Sequence, residues 1–221
     1  MANRTRFVKA ISLVAVSDTL DLWDYRRRVH EIYRQVRDSE PGETAWVEWR
    51  RARDRLFAEH PQSPIEDRQS FRGVEYFEYD PGWRTVGTFT PIAAEPDLIA
   101  TSDQETANFV EAGTLHFNVK GHEATLDVLW LDAYGGGVFL PFRDATNGDL
   151  TYGGGRYLLD TVKGADLGHN GDEAVLDFNY AYHPSCVHSP RWACPLAPPA
   201  NRLGFGVEAG ERLSQPSAAD T

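Results

Sequence analysis

Cysteine is scarce in this chain of 221 residues: Cys186 and Cys194 are the only two. Two thiols are too few for a disulfide-dense secreted scaffold. Positive charge is also in deficit, with 22 Lys and Arg against 33 Asp and Glu and a formal net charge of −11. Nucleic acid and anionic membrane surfaces both call for an excess of Lys and Arg, so neither is an expected partner. No apolar run approaches the ~20 residues of a membrane-spanning helix. Arg4, Arg6 and Lys9 precede "AISLVAV", a faint signal-peptide pattern, but the apolar part is short and broken by Ser12. It runs into the acidic "SDTLDLWD" without a small-residue cleavage site, so the expected location is cytoplasmic. Catalytic signatures are missing too. There is no G-x-S-x-G elbow, no H-E-x-x-H helix, no phosphate-binding P-loop and no dinucleotide fingerprint.

Hydrophobic residues make up 41% and aromatics 12%, the composition of a folded globular chain. Leu22, Tyr25, Val29, Ile32 and Val36 recur at spacings of three and four, which predicts a helix from about Asp18 to Arg37. "DSEPGE" breaks it. A second helix follows, with Thr44 as expected N-cap and Trp46, Trp49, Ala52 and Leu56 as its apolar stripe, ending at "EHPQSPIED".

After Phe71 the pattern turns to strands: "VEYFEY", "RTVGTFTPI", "TLHFNV", "ATLDVLWL", "GVFLPF", "AVLDFN" and "LGFGVEA". The clearest hairpin pairs Leu115–Val119 with Ala124–Trp130 through Lys120-Gly121, with Leu126, Val128 and Trp130 forming one apolar set. Consecutive strands without intervening helices predict an α+β fold: two N-terminal helices, then a mostly antiparallel β-barrel-like or sandwich body. The expected organisation is an extension with one helix over 1–43, a helix plus β-rich domain over 44–212, and a disordered tail over 213–221.

Polar side chains concentrate between Pro141 and Leu203. In "PFRDATNGDLTYGGGRY" three glycines bring no side chain to a core, and each is costly to order. The functional reading is an anion held by the backbone of Gly153, Gly154 and Gly155 with Arg143 or Arg156, flanked by Asp144 and Asn147. The structural reading is a tight turn whose Asp pairs with an arginine. In "DFNYAYHPSCVHSPRWACPLAPPANRL" strand alternation aims Asp177 and Asn179 to one face, and Tyr182 is counted with them as a ligand-binding candidate. His183, Cys186, His188 and Cys194 are soft or borderline ligands, although H-x2-C-x-H-x5-C is not a standard zinc spacing. A metal site, a disulfide or redox pair, and two buried thiols all remain open. The proline-rich piece leading to Asn201 and Arg202 is either a buttress or a positioner of those two residues.

Together, "WRRARDRLFAEHPQSPI", "FRGVEYFEYDPGWR", "PFRDATNGDLTYGGGRYL" and "LDFNYAYHPSCVHSPRWACPLAPPANRLGFGVEAGER" resemble the family known as domain of unknown function 1684, over roughly Trp46 to Arg212. The resemblance carries over Arg143, Asp144, Thr146, Gly148, Tyr152, Gly154, Gly155, Arg156, Tyr157, Asp177, Asn179, Tyr182, Pro184, Cys186, Cys194, Pro195 and Arg202. It implies no activity. The family has non-histidine residues, often Asn, at the positions of His183 and His188, so it does not imply a four-ligand metal set.

Three functions are weighed. The first is a small-molecule site inside a β-barrel for a compact carboxylate or phosphate. There Arg143, Arg156 and Arg202 bind the ligand, and Asp177 with Tyr152 moves protons if chemistry occurs. In that reading Arg156→Ala abolishes ligand retention and leaves the fold intact. The second is a metal or thiol-redox protein centred on Cys186 and Cys194. The third is a non-catalytic interaction module. The cofactor is unknown, the expected partner is a small molecule, and self-association into a homo-oligomer is left open.

Overall fold

A computed structural model describes residues 16–92, 96–100 and 106–214. The basic stretch ahead of residue 16 and most of the tail expected to be disordered lie outside the described residues. Two helices come first, α1 (Val16–Arg37) and α2 (Glu43–Glu59). Asp18 in the first turn of α1 and Arg34 and Arg37 in its last turn complement the helix dipole. The apolar stripe of α1 is the expected one: Ile32 is buried, and Tyr25, Val29 and Val36 pack onto Trp46, Trp49 and Leu56 of α2. Thr44 is not the cap. Gly42 holds that position without a side-chain hydrogen bond, and Thr44 lies inside the first turn.

Eight strands follow: β1 (Arg84–Pro91), β2 (Pro96–Ala100), β3 (Thr106–Val119), β4 (His122–Leu131), β5 (Val138–Phe142), β6 (Arg156–Asp160), β7 (His169–Asn170) and β8 (Glu173–Asp177). Every pairing is antiparallel, in the order β6-β5-β4-β3-β1-β8-β7, with β2 also on β3. The result is one curled sheet, a half-barrel and not a sandwich. The Lys120-Gly121 turn has positive φ at both residues, 51° and 83°, the geometry a two-residue hairpin needs. It sets the register of β3 and β4, with Val119 opposite His122 and Leu115 opposite Leu126.

Inside the curl, Leu115, Phe117, Leu126, Leu140, Leu176 and Phe178 pack together with Trp83 across the open side. This buried cluster packs side chains into the concavity. A bulge between Glu111 and Gly113 changes the face that β3 buries. Beyond it, Phe109 and Leu129 are buried on the opposite face with Phe139 and Tyr157. Trp130, expected in the buried set, is therefore 42% exposed.

Two expected strands do not form, for a reason side chains supply. "LGFGVEA" is irregular because the carbonyls of Val207 and Ala209 accept from the Arg156 guanidinium, not from a neighbouring strand. "VEYFEY" makes only the single bridge Tyr76–Glu211. "AVLDFN" stops at Asp177, whose carboxylate caps the following 3-10 turn Phe178–Tyr180, so Asp177, Asn179 and Tyr182 do not share a strand face. β2, β6 and the short β7 are strands the sequence pattern missed.

Candidate functional site

The helices lean on the segment from Tyr180 to Pro195, and a buried ionic network lies between them. Arg53 of α2 pairs with Glu211, whose side chain is fully buried, and donates to the Tyr76 hydroxyl at 2.7 Å. The second oxygen of Glu211 accepts the His183 backbone N–H at 2.6 Å. Burial pushes the Glu211 carboxyl up, but Arg53, His183 and His188 outweigh it and hold the group below its usual range. His183 Nδ1 stands 3.6 Å from Glu211, while its Nε2 accepts the Tyr152 backbone N–H at 3.2 Å. Desolvation lowers the His183 pKa to about 4 despite that carboxylate, and also lowers the pKa of His188.

A cavity of about 270 Å³ opens beside this network. Leu22, Val29 and Ile32 of α1 and Leu56 and Phe57 of α2 form its apolar wall. Tyr182, His183, Ser185, His188 and Cys194 line the opposite side, with Arg53 and Tyr33 between and Arg26, Gln62 and Lys163 also on the lining. Buried polar atoms on this lining without a hydrogen-bond partner in the protein include the Tyr182 hydroxyl and His188 Nε2. Buried polar groups are ordinarily satisfied, because leaving one unpaired costs about 1–3 kcal/mol.

Arg156, expected to bind an anion, is completely buried and faces inward. Its guanidinium donates to Asp144 at 2.8 Å and to the carbonyls of Val207, Ala209 and Glu211. Asp144 also accepts from the backbone and hydroxyl of Thr146 and from the Val207 N–H. Asn147 closes the same turn through the Asp144 N–H, the Thr151 hydroxyl and the Tyr152 carbonyl. These three side chains brace the fold. Arg156→Ala is therefore a folding variant, not the clean ligand test the sequence reading expected.

The glycines divide in the same way. A Cβ on Gly154 would stand 2.3 Å from the Tyr152 ring, and one on Gly155 would stand 2.5 Å from the Phe142 carbonyl. Gly153 meets nothing nearer than 3.9 Å. Tyr152 is half-buried, and its phenol pKa is raised by desolvation and by the neighbouring Cys186. Arg143 lies close enough to oppose that shift, and a parallel bridge sets it beside Arg202.

Asp177 and Tyr152 are not brought together as an acid–base pair. Asp177 accepts from the backbone and side chain of Asn179 at 3.0 and 2.8 Å and lies 4.0 Å from Arg84. Burial raises its pKa. Asn179 clasps Asp80 and receives the Trp46 indole N–H, a joint between sheet and helix. Asn201 likewise ties Asp127 to Pro141, and Arg202 is exposed.

Among the described residues no three His, Cys, Asp or Glu side chains are placed to share a metal ion, so the four-ligand set His183, Cys186, His188 and Cys194 is not formed. Cys194 Sγ instead accepts the Cys186 backbone N–H at 3.3 Å. Both side chains are thiols.

Arg53 and Glu211 went unnoticed in the sequence. The available signal was a charged residue at a stripe position, one turn after Trp49, and the fully buried Glu211 inside the quoted "AGER".

This architecture defines an α+β protein in which a helix pair covers the outside of a filled half-barrel and encloses a cavity against its C-terminal loops. Residues 69–212 match the model described as "Protein of unknown function (DUF1684)", and the chain belongs to that family. The matched region begins after α2, later than the resemblance placed it. The chain is also similar to an uncharacterized protein of Haloarcula marismortui solved in solution by NMR, with 40% identity and a TM-score of 0.56, covering 77% of this chain and 94% of that one. No curated protein matches. No helix among the described residues is long and apolar enough to cross a membrane.

Proposed function

We propose that the protein binds a compact small molecule in the cavity between the helix pair and the Tyr182–Pro195 segment. The observation that carries this reading is the presence of unpartnered buried polar atoms, Tyr182 OH and His188 Nε2 among them, on an otherwise largely apolar wall. A ligand with an apolar body and one or two hydrogen-bonding oxygens satisfies both, in the way small-molecule sites combine apolar lining with few polar contacts. A volume of about 270 Å³ limits it to a compact molecule.

Native mass spectrometry of freshly purified protein against its denatured mass tests this. The expected result is extra mass lost on denaturation, reduced in Tyr182→Phe and absent in Val29→Trp, which fills the cavity from α1. An identical apo mass for all three proteins opposes it.

A second reading keeps the anion at the glycine loop. A parallel bridge sets the backbones of Arg143 and Arg202 side by side, and Arg143 Nε is buried without an acceptor. Gly153 leaves the approach to that backbone open. Titration with inorganic phosphate, followed by amide shifts at Gly153 and Gly154 and lost in Arg143→Met, separates this reading from the first.

A further inference from the structure

Cys186 and Cys194 lie against each other in one loop. Cys186 occupies the short 3-10 turn Ser185–Val187, and Cys194 lies eight residues on, across a loop carrying His188 and Trp192. The Cys194 sulfur accepts the backbone N–H of Cys186 itself. A sulfur so close to the partner's main chain brings the two residues within the ~7 Å Cα separation a disulfide tolerates. Their exposures differ: Cys186 is half-buried, whereas Cys194 is 7% exposed. The Tyr152 phenol lies beside the Cys186 side chain.

We propose that Cys186 and Cys194 form a hydroperoxide-reactive dithiol, with Cys186 the attacking sulfur and Cys194 the resolving one. In the first step the Cys186 sulfur bonds to the terminal oxygen of a hydroperoxide, the O–O bond breaks, and the alcohol leaves with one proton (water, when the oxidant is hydrogen peroxide). Cys186 becomes a sulfenic acid. In the second step the Cys194 sulfur attacks that sulfur, the S–O bond breaks, and the hydroxyl leaves as water with the Cys194 proton. Two thiols lose two hydrogens and two electrons; the peroxide gains both. Hydrogen bonding to Cys186 and burial push the Cys194 thiol pKa up, so it stays protonated and is the poorer first nucleophile. An external dithiol reverses the bridge by exchange. The product fixes one wall of the cavity, because the bridged loop carries His188, Trp192 and Ala193 of its lining. Formation of the bond needs no ligand in that cavity.

The test treats the full chain with stoichiometric hydrogen peroxide and follows intact mass, non-reducing gels and tryptic peptides. The expected product is a monomer two hydrogens lighter in which peptides 164–191 and 192–202 stay linked until dithiothreitol is added. Cys194→Ser stops at the first step, so dimedone then labels Cys186. The proposal is overturned by Cys186 passing to sulfinic acid without a bridge, by bridges forming only between chains, or by both thiols surviving peroxide unchanged. Because the linkage is read on the unmodified chain, an unstable Cys194→Ser variant leaves the result decisive.

Discussion

The Tyr152 backbone N–H donates to Nε2 of His183 across 3.2 Å, and this bond joins the glycine loop to the cysteine loop. An accepting Nε2 places the ring proton on Nδ1, the nitrogen that faces Glu211. The histidine is thus held neutral and oriented, with a depressed pKa and a buried carboxylate behind it. Its position is that of a structural joint between the braced turn and the cavity wall, and several of the following outcomes turn on it.

Stability rises with pH on the acid side. The His183 pKa falls from its ordinary value of 6.5 to about 4 on folding, so the unfolded chain binds more protons between those values. The contribution is complete above pH 6.5 and is lost as pH falls towards 4, an effect of about 3 kcal/mol. Glu211, also lowered, adds a loss of the same sign in the carboxylate range. Urea midpoints at pH 7 and 4.5 measure this. His183→Asn is expected to flatten the part between pH 6.5 and 4, and an unchanged slope in that variant assigns the effect elsewhere.

Arg53→Met leaves the Glu211 carboxylate buried without its guanidinium. Breaking such a pair from one side costs about 3–5 kcal/mol, read as a lower denaturation midpoint. Asp144→Asn acts in the same direction on Arg156. Surface pairs such as Arg34 with Glu31 are exposed on both sides, and removing them leaves the denaturation midpoint close to that of the parent.

Tyr182→Phe separates ligand binding from folding. Its hydroxyl has no partner in the protein, so removal is expected to shift stability by no more than about 1 kcal/mol, in either direction. A large loss of stability in the ligand-free protein contradicts the arrangement of the cavity wall.

Gly153→Ala and Gly154→Ala are expected to diverge. The first adds a methyl group into open space and is nearly neutral. The second forces its Cβ against the Tyr152 ring at 2.3 Å, which has to move, at a cost of about 1–3 kcal/mol. Thermal denaturation of the two proteins gives the comparison directly, and equal midpoints contradict it.

The two helices, the hairpin at Lys120-Gly121 and the antiparallel α+β class were legible before folding was considered. These depend on local periodicity and turn chemistry, which are written in neighbouring residues. The residue order also marked the stretch from Pro141 to Leu203 as the place where polar groups gather. What those groups do is set by long-range packing. The same "RDATNGDLTYGGGRY" fits an anion site or an internal brace, and the choice rests on where the Val207, Ala209 and Glu211 carbonyls lie, more than 50 residues away in the chain. Asp177 and Tyr152, joined in the sequence reading by their chemistry, have separate partners because a capped turn ends the strand. Arg53 and Glu211 stand 158 residues apart, and a pair at that separation leaves no periodic trace in either segment. The cavity has the same origin: its walls come from both helices and from loops flanking β6 and β8, so it exists only once they pack.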